Sequence, residues 1–226
     1  MISKVKIKPP DYKQKERFWR ILFPDDAYCF ACGFPAEVGE LGLCFCCAAL
    51  AKPPEALPEP PYLDGIAAPF EFGEPFREPM HRLKYGGSRH LARSFANAIA
   101  FEWDVDCVVP VPLHPKREKL RGYNQSALIA KALSKRLRLA YEPGLIIRTR
   151  DTQTQTELTA SERNSNMLDA FSAPHPLKCE NVLLVDDVCT TGSTLDACAK
   201  ALKQAGAKNV YAVCACAAKF EKSKNV

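Results

Sequence analysis

Two adjacent carboxylates, Asp186 and Asp187, close an apolar run in NVLLVDDVCTTGSTLDACAKAL, residues 181–202. Directly after them come Thr190, Thr191, Gly192, Ser193 and Thr194. An apolar strand followed by such a loop and then a helix places the loop at the carboxyl edge of a parallel sheet, where open α/β folds bind ligands. Backbone N–H groups and hydroxyls of residues 190–194 can cradle an anion, Gly192 permits close approach, and the helix adds the positive end of its dipole. The loop is not a P-loop, because no GK[ST] follows it, and it is not a GxGxxG dinucleotide fingerprint. The two acids cannot hold phosphate. They can accept hydrogen bonds from adjacent hydroxyls, such as the 2′- and 3′-OH of a ribose, or orient a hydrated Mg²⁺. A phosphate cup beside a diol acceptor describes a ribose 5-phosphate.

A second cluster with chemical potential is YCFACGFPAEVGELGLCFCC. Cys29-x2-Cys32 and Cys44-x2-Cys47 are separated by eleven residues. Two CxxC pairs make a tetrahedral thiolate site suited to structural Zn²⁺, with rubredoxin-like iron as the alternative. Gly33 suits the tight turn after the first pair. Cys46 is a bystander or a register alternative. A head this short buries little apolar surface, so the metal would supply much of its stability.

These groups need elements to position them. AKPPEALPEPP, residues 51–61, is too proline-dense for a helix or central strand and reads as a stiff, extended linker. It divides a 1–60 unit (basic extension, four-Cys module, linker) from a 61–226 unit. In the second unit, LDGIAAPFEF (63–72), VDCVVPVP (105–112), LIIR (145–148), NVLLVDD and NVYAVCACAA read as strands. PFREPMHRLKYGGSRHLARSFANAIAFEW reads as helical material interrupted at Gly86-Gly87, and NQSALIAKALSKRLRL and LDACAKALKQAG read as helices, the last stopped by Gly206. Alternating strands and helices predict α/β with a mostly parallel sheet.

Composition fits. The chain has 226 residues, is 47% hydrophobic, and carries 31 basic against 26 acidic side chains, a net charge of +5. Such a charge does not by itself specify a nucleic-acid partner. The charged start and the lack of an apolar run long enough to span a bilayer predict a cytoplasmic protein. Eleven cysteines in that setting point to metal and core roles rather than disulfides.

VLLVDDVCTTGST resembles the 5-phosphoribosyl-1-pyrophosphate (PRPP) motif of type I phosphoribosyltransferases. Two more segments are similar to the ComF family of competence-associated, phosphoribosyltransferase-like proteins. One is VPVPLHPKREKLRGYNQS (109–126). The other is Arg148, Arg150, Thr152, Gln155, Leu158, Arg163, Asn166, Ala170 and Phe171 within RTRDTQTQTELTASERNSNMLDAF. LKYGG (83–87) also resembles a family segment, and Lys84 in it can reach an anion. The resemblance implies a type I phosphoribosyltransferase-like sheet with flanking helices and a flexible hood, preceded by the small four-Cys zinc module. It puts ribose at Asp186 and Asp187, the 5′-phosphate at residues 190–194, and pyrophosphate on a basic loop with Lys116, Arg121 and Gly122. It also makes a hood of Arg148, Arg150, Gln155 and Arg163, where Thr159-x-x-Glu162 is a capping box. His114 is more simply a packed or surface residue than a catalytic one.

Two functions from different classes follow. In the first, a Mg²⁺–PRPP pocket serves a protein that handles single-stranded DNA in the cytoplasm during natural transformation, beside a helicase-like motor. The basic termini and Phe18, Trp19 and Phe23 would bind the strand by charge and stacking, or those aromatics simply pack the extension onto the head. In the second, the chain is an active phosphoribosyltransferase whose acceptor is unidentified. The cysteines suggest a third, metal or sulfur metabolism, which would need a redox-active cluster.

Overall fold

The computed structural model describes residues 28–149, 170–173 and 177–220. Eight strands and six helices follow in chain order. They are α1 (Phe45–Leu50), β1 (Gly65–Ala67), β2 (Phe70–Glu71), α2 (Arg77–Tyr85), α3 (Leu91–Ala98), β3 (Cys107–Pro110) and α4 (Pro115–Arg121). Then come α5 (Gln125–Leu137), β4 (Ala140–Tyr141), β5 (Ile147–Arg148), β6 (Phe171–Ser172), β7 (Asn181–Cys189), α6 (Ser193–Gln204) and β8 (Asn209–Ala217).

The main sheet has the order β1-β8-β7-β3-β4, with β2 also on β8, and every pairing in it is parallel. β3 and most of β7 are buried continuously, as expected of parallel strands covered on both faces. One face packs on α2, α3 and α5 through Met80, Leu83, Phe95, Ile129 and Leu133. The other packs on α6 through Leu195, Cys198 and Leu202. Arg136 ties α5 to α3 by donating to the carbonyls of Asn97, at 2.8 Å, and Ile99. The parallel α/β fold expected from the alternating pattern is the one observed.

Three expectations need correction. LIIR does form a strand, but β5 leaves the main sheet and pairs antiparallel with β6. The basic stretch after β3 is not a loop. Pro115 occupies the first turn, His114 caps it by accepting the Lys116 N–H on Nδ1 at 3.2 Å, and Gly122 ends it at φ 79°. The proline-rich linker is not a free spacer. Pro58 is buried and Leu57 packs against the core beneath α6.

The cysteine head docks on the larger unit. Phe30 sits edge-on to Phe95 at 5.4 Å and tilted on Phe76 at 6.0 Å. Arg82 donates to the carbonyls of Phe30 and Ala31, both at 3.3 Å.

Candidate functional site

Both acids lie inside β7 rather than beyond it. Asp186 Oδ1 accepts from Ser126 Oγ at 2.8 Å and from the Asp187 backbone N–H at 2.9 Å. Burial, and then the neighbouring Asp187 charge, push the Asp186 carboxyl up from 3.8 to about 7. Asp187 is buried, and its Oδ1 accepts from the Val188 N–H. Its Oδ2 lies 3.1 Å from Lys84 Nζ at the end of α2. Apart from that charge contact, Oδ2 has no hydrogen bond among the described residues. Lys84 therefore balances an acid instead of standing ready for an anion.

Asn124 builds the neighbouring wall. Its Oδ1 caps α5 by accepting from Ser126 and Ala127 N–H, and its Nδ2 donates to the Val111 carbonyl at 2.9 Å. That double role fixes Ser126 against Asp186. Arg121 donates to Gln125 Oε1 and to Tyr85 Oη at 3.2 Å, with its guanidinium 4.7 Å from the centre of the Tyr85 ring. Gly122 lies beside it, and Arg89 covers the Tyr123 ring at 4.6 Å. Lys116 is exposed on α4.

The loop after β7 turns at Gly192, whose φ is 80°. That left-handed conformation favours glycine. Thr190 and Thr191 are exposed, Thr191 Oγ1 and Ser193 Oγ are 2.9 Å apart, and Thr194 lies half-buried in the first turn of α6. Gly192 is the N-cap and has no side chain, and Thr191 Oγ1 accepts the Ser193 N–H at a long 3.4 Å instead. The loop's hydroxyls and first-turn N–H groups thus stand together, as an anion site requires.

Of the hood, Arg148 lies on β5, with its guanidinium 5.4 Å from the Phe171 ring. Thr149 N–H and Oγ1 both donate to the Ala170 carbonyl, so the two ends of the intervening segment meet. Arg150, Gln155 and Arg163 lie outside the described residues, as do Thr152, Leu158, Asn166 and the Thr159–Glu162 capping box.

The four cysteines of the head come together. The sulfurs of Cys29, Cys32, Cys44 and Cys47 all lie within 4.8 Å of one another, and Cys32 Sγ and Cys44 Sγ are 3.9 Å apart. A tetrahedral zinc with Zn–S of about 2.3 Å needs sulfurs about 3.8 Å apart. The donor set fits. Burial raises the Cys29 thiol, but N–H groups of Cys32, Cys44 and Ala31 outweigh it and bring it down to about 7. Burial and the neighbouring thiols push Cys47 up instead, so the cluster as a whole needs a bound cation to stand as thiolates. Cys46 is exposed and outside the cluster, so it is the bystander.

Sequence reasoning missed Ser126, Asn124 and Tyr85 as parts of the site, although all three stand in quoted segments, RGYNQS and LKYGG. Their signal was adjacency to Arg121 and Lys84. It also missed Asp196, buried in the first turn of α6, which accepts the Tyr62 N–H at 2.9 Å.

Comparison with known proteins agrees with this geometry. The phosphoribosyl transferase domain family matches residues 124–225, from the Asn124 cap through the 190–194 loop and past the last strand. DNA utilization protein YhgH of Escherichia coli K12 is 29% identical over 217 residues, covering 83% of this chain and 96% of its own. Competence protein F of Haemophilus influenzae is 37% identical over 108 residues, 46% of this chain and 47% of that one. The chain is a relative of these DNA-utilization and competence proteins. Competence protein ComFC of Streptococcus pneumoniae is 28% identical over 144 residues, 62% of this chain and 63% of that one. In this chain, Lys84, Tyr85 and Arg121 precede the stretch matched as a phosphoribosyl transferase domain. No helix among the described residues is long and apolar enough to cross a membrane.

Proposed function

We propose that this chain binds PRPP with Mg²⁺ at the carboxyl ends of β3 and β7. In this reading it acts in the cytoplasmic handling of single-stranded DNA during transformation. One observation carries the ligand half: the Asp186–Asp187 pair, held by Ser126 from α5 and Lys84 from α2, lies directly before the 190–194 loop on one strand–helix unit. Asp186 and Asp187 accept the ribose diol, residues 190–194 hold the 5′-phosphate, and Arg121 meets pyrophosphate with its planar fork. Arg121 must leave Tyr85 and Gln125 to do so. Lys84 balances one of the two acids, so one negative charge remains when Asp186 ionises. That residue of charge suits a magnesium-bearing ligand better than a bare polyanion, and Mg²⁺ would supply charge neutralisation at the pyrophosphate. The hood residues Arg148, Arg150, Gln155 and Arg163 would close over the ligand. Zinc at Cys29, Cys32, Cys44 and Cys47 would serve structure.

The DNA half rests on a contiguous face at the pocket mouth. Tyr85 is 66% exposed and pairs with Arg121, Arg89 covers Tyr123, and Arg117 and Lys119 are exposed on α4. Alternating cations and aromatic rings suit an unpaired strand, whose bases stack while its phosphates meet the charges. The names of the relatives, which refer to DNA utilization and competence, agree with this reading.

Fluorescence anisotropy of a labelled oligo-dT, titrated at several salt concentrations, tests the DNA half. Affinity should fall steeply with salt. Binding that ignores salt, or that is no weaker in an Arg117→Gln/Lys119→Gln variant, contradicts it.

A further inference from the structure

The proline-rich segment ends on the phosphate loop. A Cβ built on Gly192 would come within 2.8 Å of Pro60 Cγ and 3.1 Å of Pro58 Cγ. The loop's turning residue is thus in direct contact with two prolines more than 130 residues earlier in the chain. Beyond them, Tyr62 donates its backbone N–H to Asp196 Oδ1 at 2.9 Å, in the first turn of α6. Asp64 then binds Lys203 Nζ at 2.9 Å, in the last turn of the same helix, and accepts the Val210 N–H at 2.7 Å. Upstream, the Lys52 carbonyl accepts the Glu71 N–H at 2.7 Å. The segment is therefore anchored on both sides of its crossing, and it grips the helix whose N-terminus faces the loop.

We infer that residues 58–62 form a strap that holds the phosphate loop in its binding shape, which makes Pro58 and Pro60 positioning residues for the 5′-phosphate site. This rests on the reading of residues 190–194 as that site. The physical need is visible in the loop. Gly192 has no side chain to cap α6, Thr191 Oγ1 meets the Ser193 N–H only at 3.4 Å, and Thr190 and Thr191 are both exposed. A glycine-centred turn with so little of its own support is free to move, and ordering it on ligand capture costs binding energy. The strap moves that ordering into the fold. Proline suits the task because its ring is stiff and it has no N–H to compete with the loop for an anion. The strap walls the site rather than plugging it. A cavity of about 410 Å³ lies between strap and loop, lined by Pro58, Pro60, Thr191 and Ser193 and also by the acidic Glu59 and Asp196.

The test uses full-length protein and two calorimetric titrations, one with ribose 5-phosphate and one with Mg²⁺ pyrophosphate. Pro58→Gly/Pro60→Gly loosens the strap itself. Asp196→Ala cuts its anchor on α6, while Asp196→Asn keeps the accepting oxygen. Losing one well-aimed hydrogen bond to a charged phosphate corresponds to about tenfold in affinity. Ribose 5-phosphate should weaken by about that factor in both loosening variants and recover in Asp196→Asn, with pyrophosphate changed less than about twofold. A purely structural role would lower both ligands together, and that result overturns the proposal. So does unchanged ribose 5-phosphate affinity in folded Pro58→Gly/Pro60→Gly protein. If the unaltered protein binds pyrophosphate but no ribose 5-phosphate, the phosphate-loop reading fails, and the strap's role with it.

Discussion

Asp186→Asn should stabilise the protein while removing its ligand. The Asp186 carboxyl is raised to about 7 in the fold from 3.8, chiefly by burial and by the adjacent Asp187. Between those values the folded state keeps a proton that the unfolded chain has released. Stability therefore falls as pH rises from about 4 through 7, and the whole penalty is present at pH 8, where both states are ionised. The difference of 7 − 3.8, about 3 units, converts to a ceiling of about 4 kcal/mol. Asp186 is half-buried rather than sealed, so solvent relaxation brings the expected gain to about 2 kcal/mol. Asparagine keeps the oxygen that accepts from Ser126 Oγ and Asp187 N–H, and it carries no charge. For a chain of this size a gain of about 2 kcal/mol raises Tm by about 4–8 °C. The assay is urea unfolding of both proteins from pH 4 to 8, and taking their difference cancels the pH dependence of the cysteine head. The variant should match the unaltered protein at pH 4 and exceed it progressively up to pH 8. A variant that is less stable at pH 8, or a difference that does not change with pH, refutes the assignment of a charge held against its environment.

Other consequences follow from the same geometry. Lys84→Met leaves the buried Asp187 without its counter-charge and should cost about 3 kcal/mol at neutral pH, with Lys84→Met/Asp187→Asn recovering most of it; a double-mutant cycle by chemical unfolding measures the coupling. Protein isolated without chelator should release one zinc per chain on thiol modification, as a colorimetric chelator reads out. Cys29→Ser should abolish that release and lower Tm, because Phe30 loses its place against Phe76 and Phe95. Tyr85→Ala should weaken oligo-dT binding by about 1–3 kcal/mol if a base stacks there; an unchanged anisotropy titration would remove Tyr85 from the DNA face.

The β7–loop–α6 unit was legible because its chemistry is contiguous. Acids, hydroxyls, glycine and helix lie within one run of residues, and local rules suffice to join them. The four-cysteine head was legible for the same reason. Lys84 was not, because its partner Asp187 lies 103 positions away and a lysine beside Gly86-Gly87 reads equally well as an anion ligand. Ser126 was hidden within an ordinary amphipathic helix, and only the packing of the first turn of α5 against the far half of β7 brings it to Asp186. In PKREKLR, the surface charges masked a helix that the proline and the His114 cap in fact start well. For the proline-rich segment, composition reported stiffness but not destination. That depends on Gly192, Asp196 and Lys203, all more than 130 residues downstream.

The most direct test of the central claim is calorimetric titration of zinc-loaded protein with PRPP, with and without Mg²⁺, repeated with Asp186→Asn/Asp187→Asn. Saturable binding that requires Mg²⁺ and is lost in the folded double variant is the expected result. Folded protein that binds no PRPP, or a double variant that binds it as well as the unaltered protein does, would contradict the assignment of the acid pair and the 190–194 loop to a phosphoribosyl ligand.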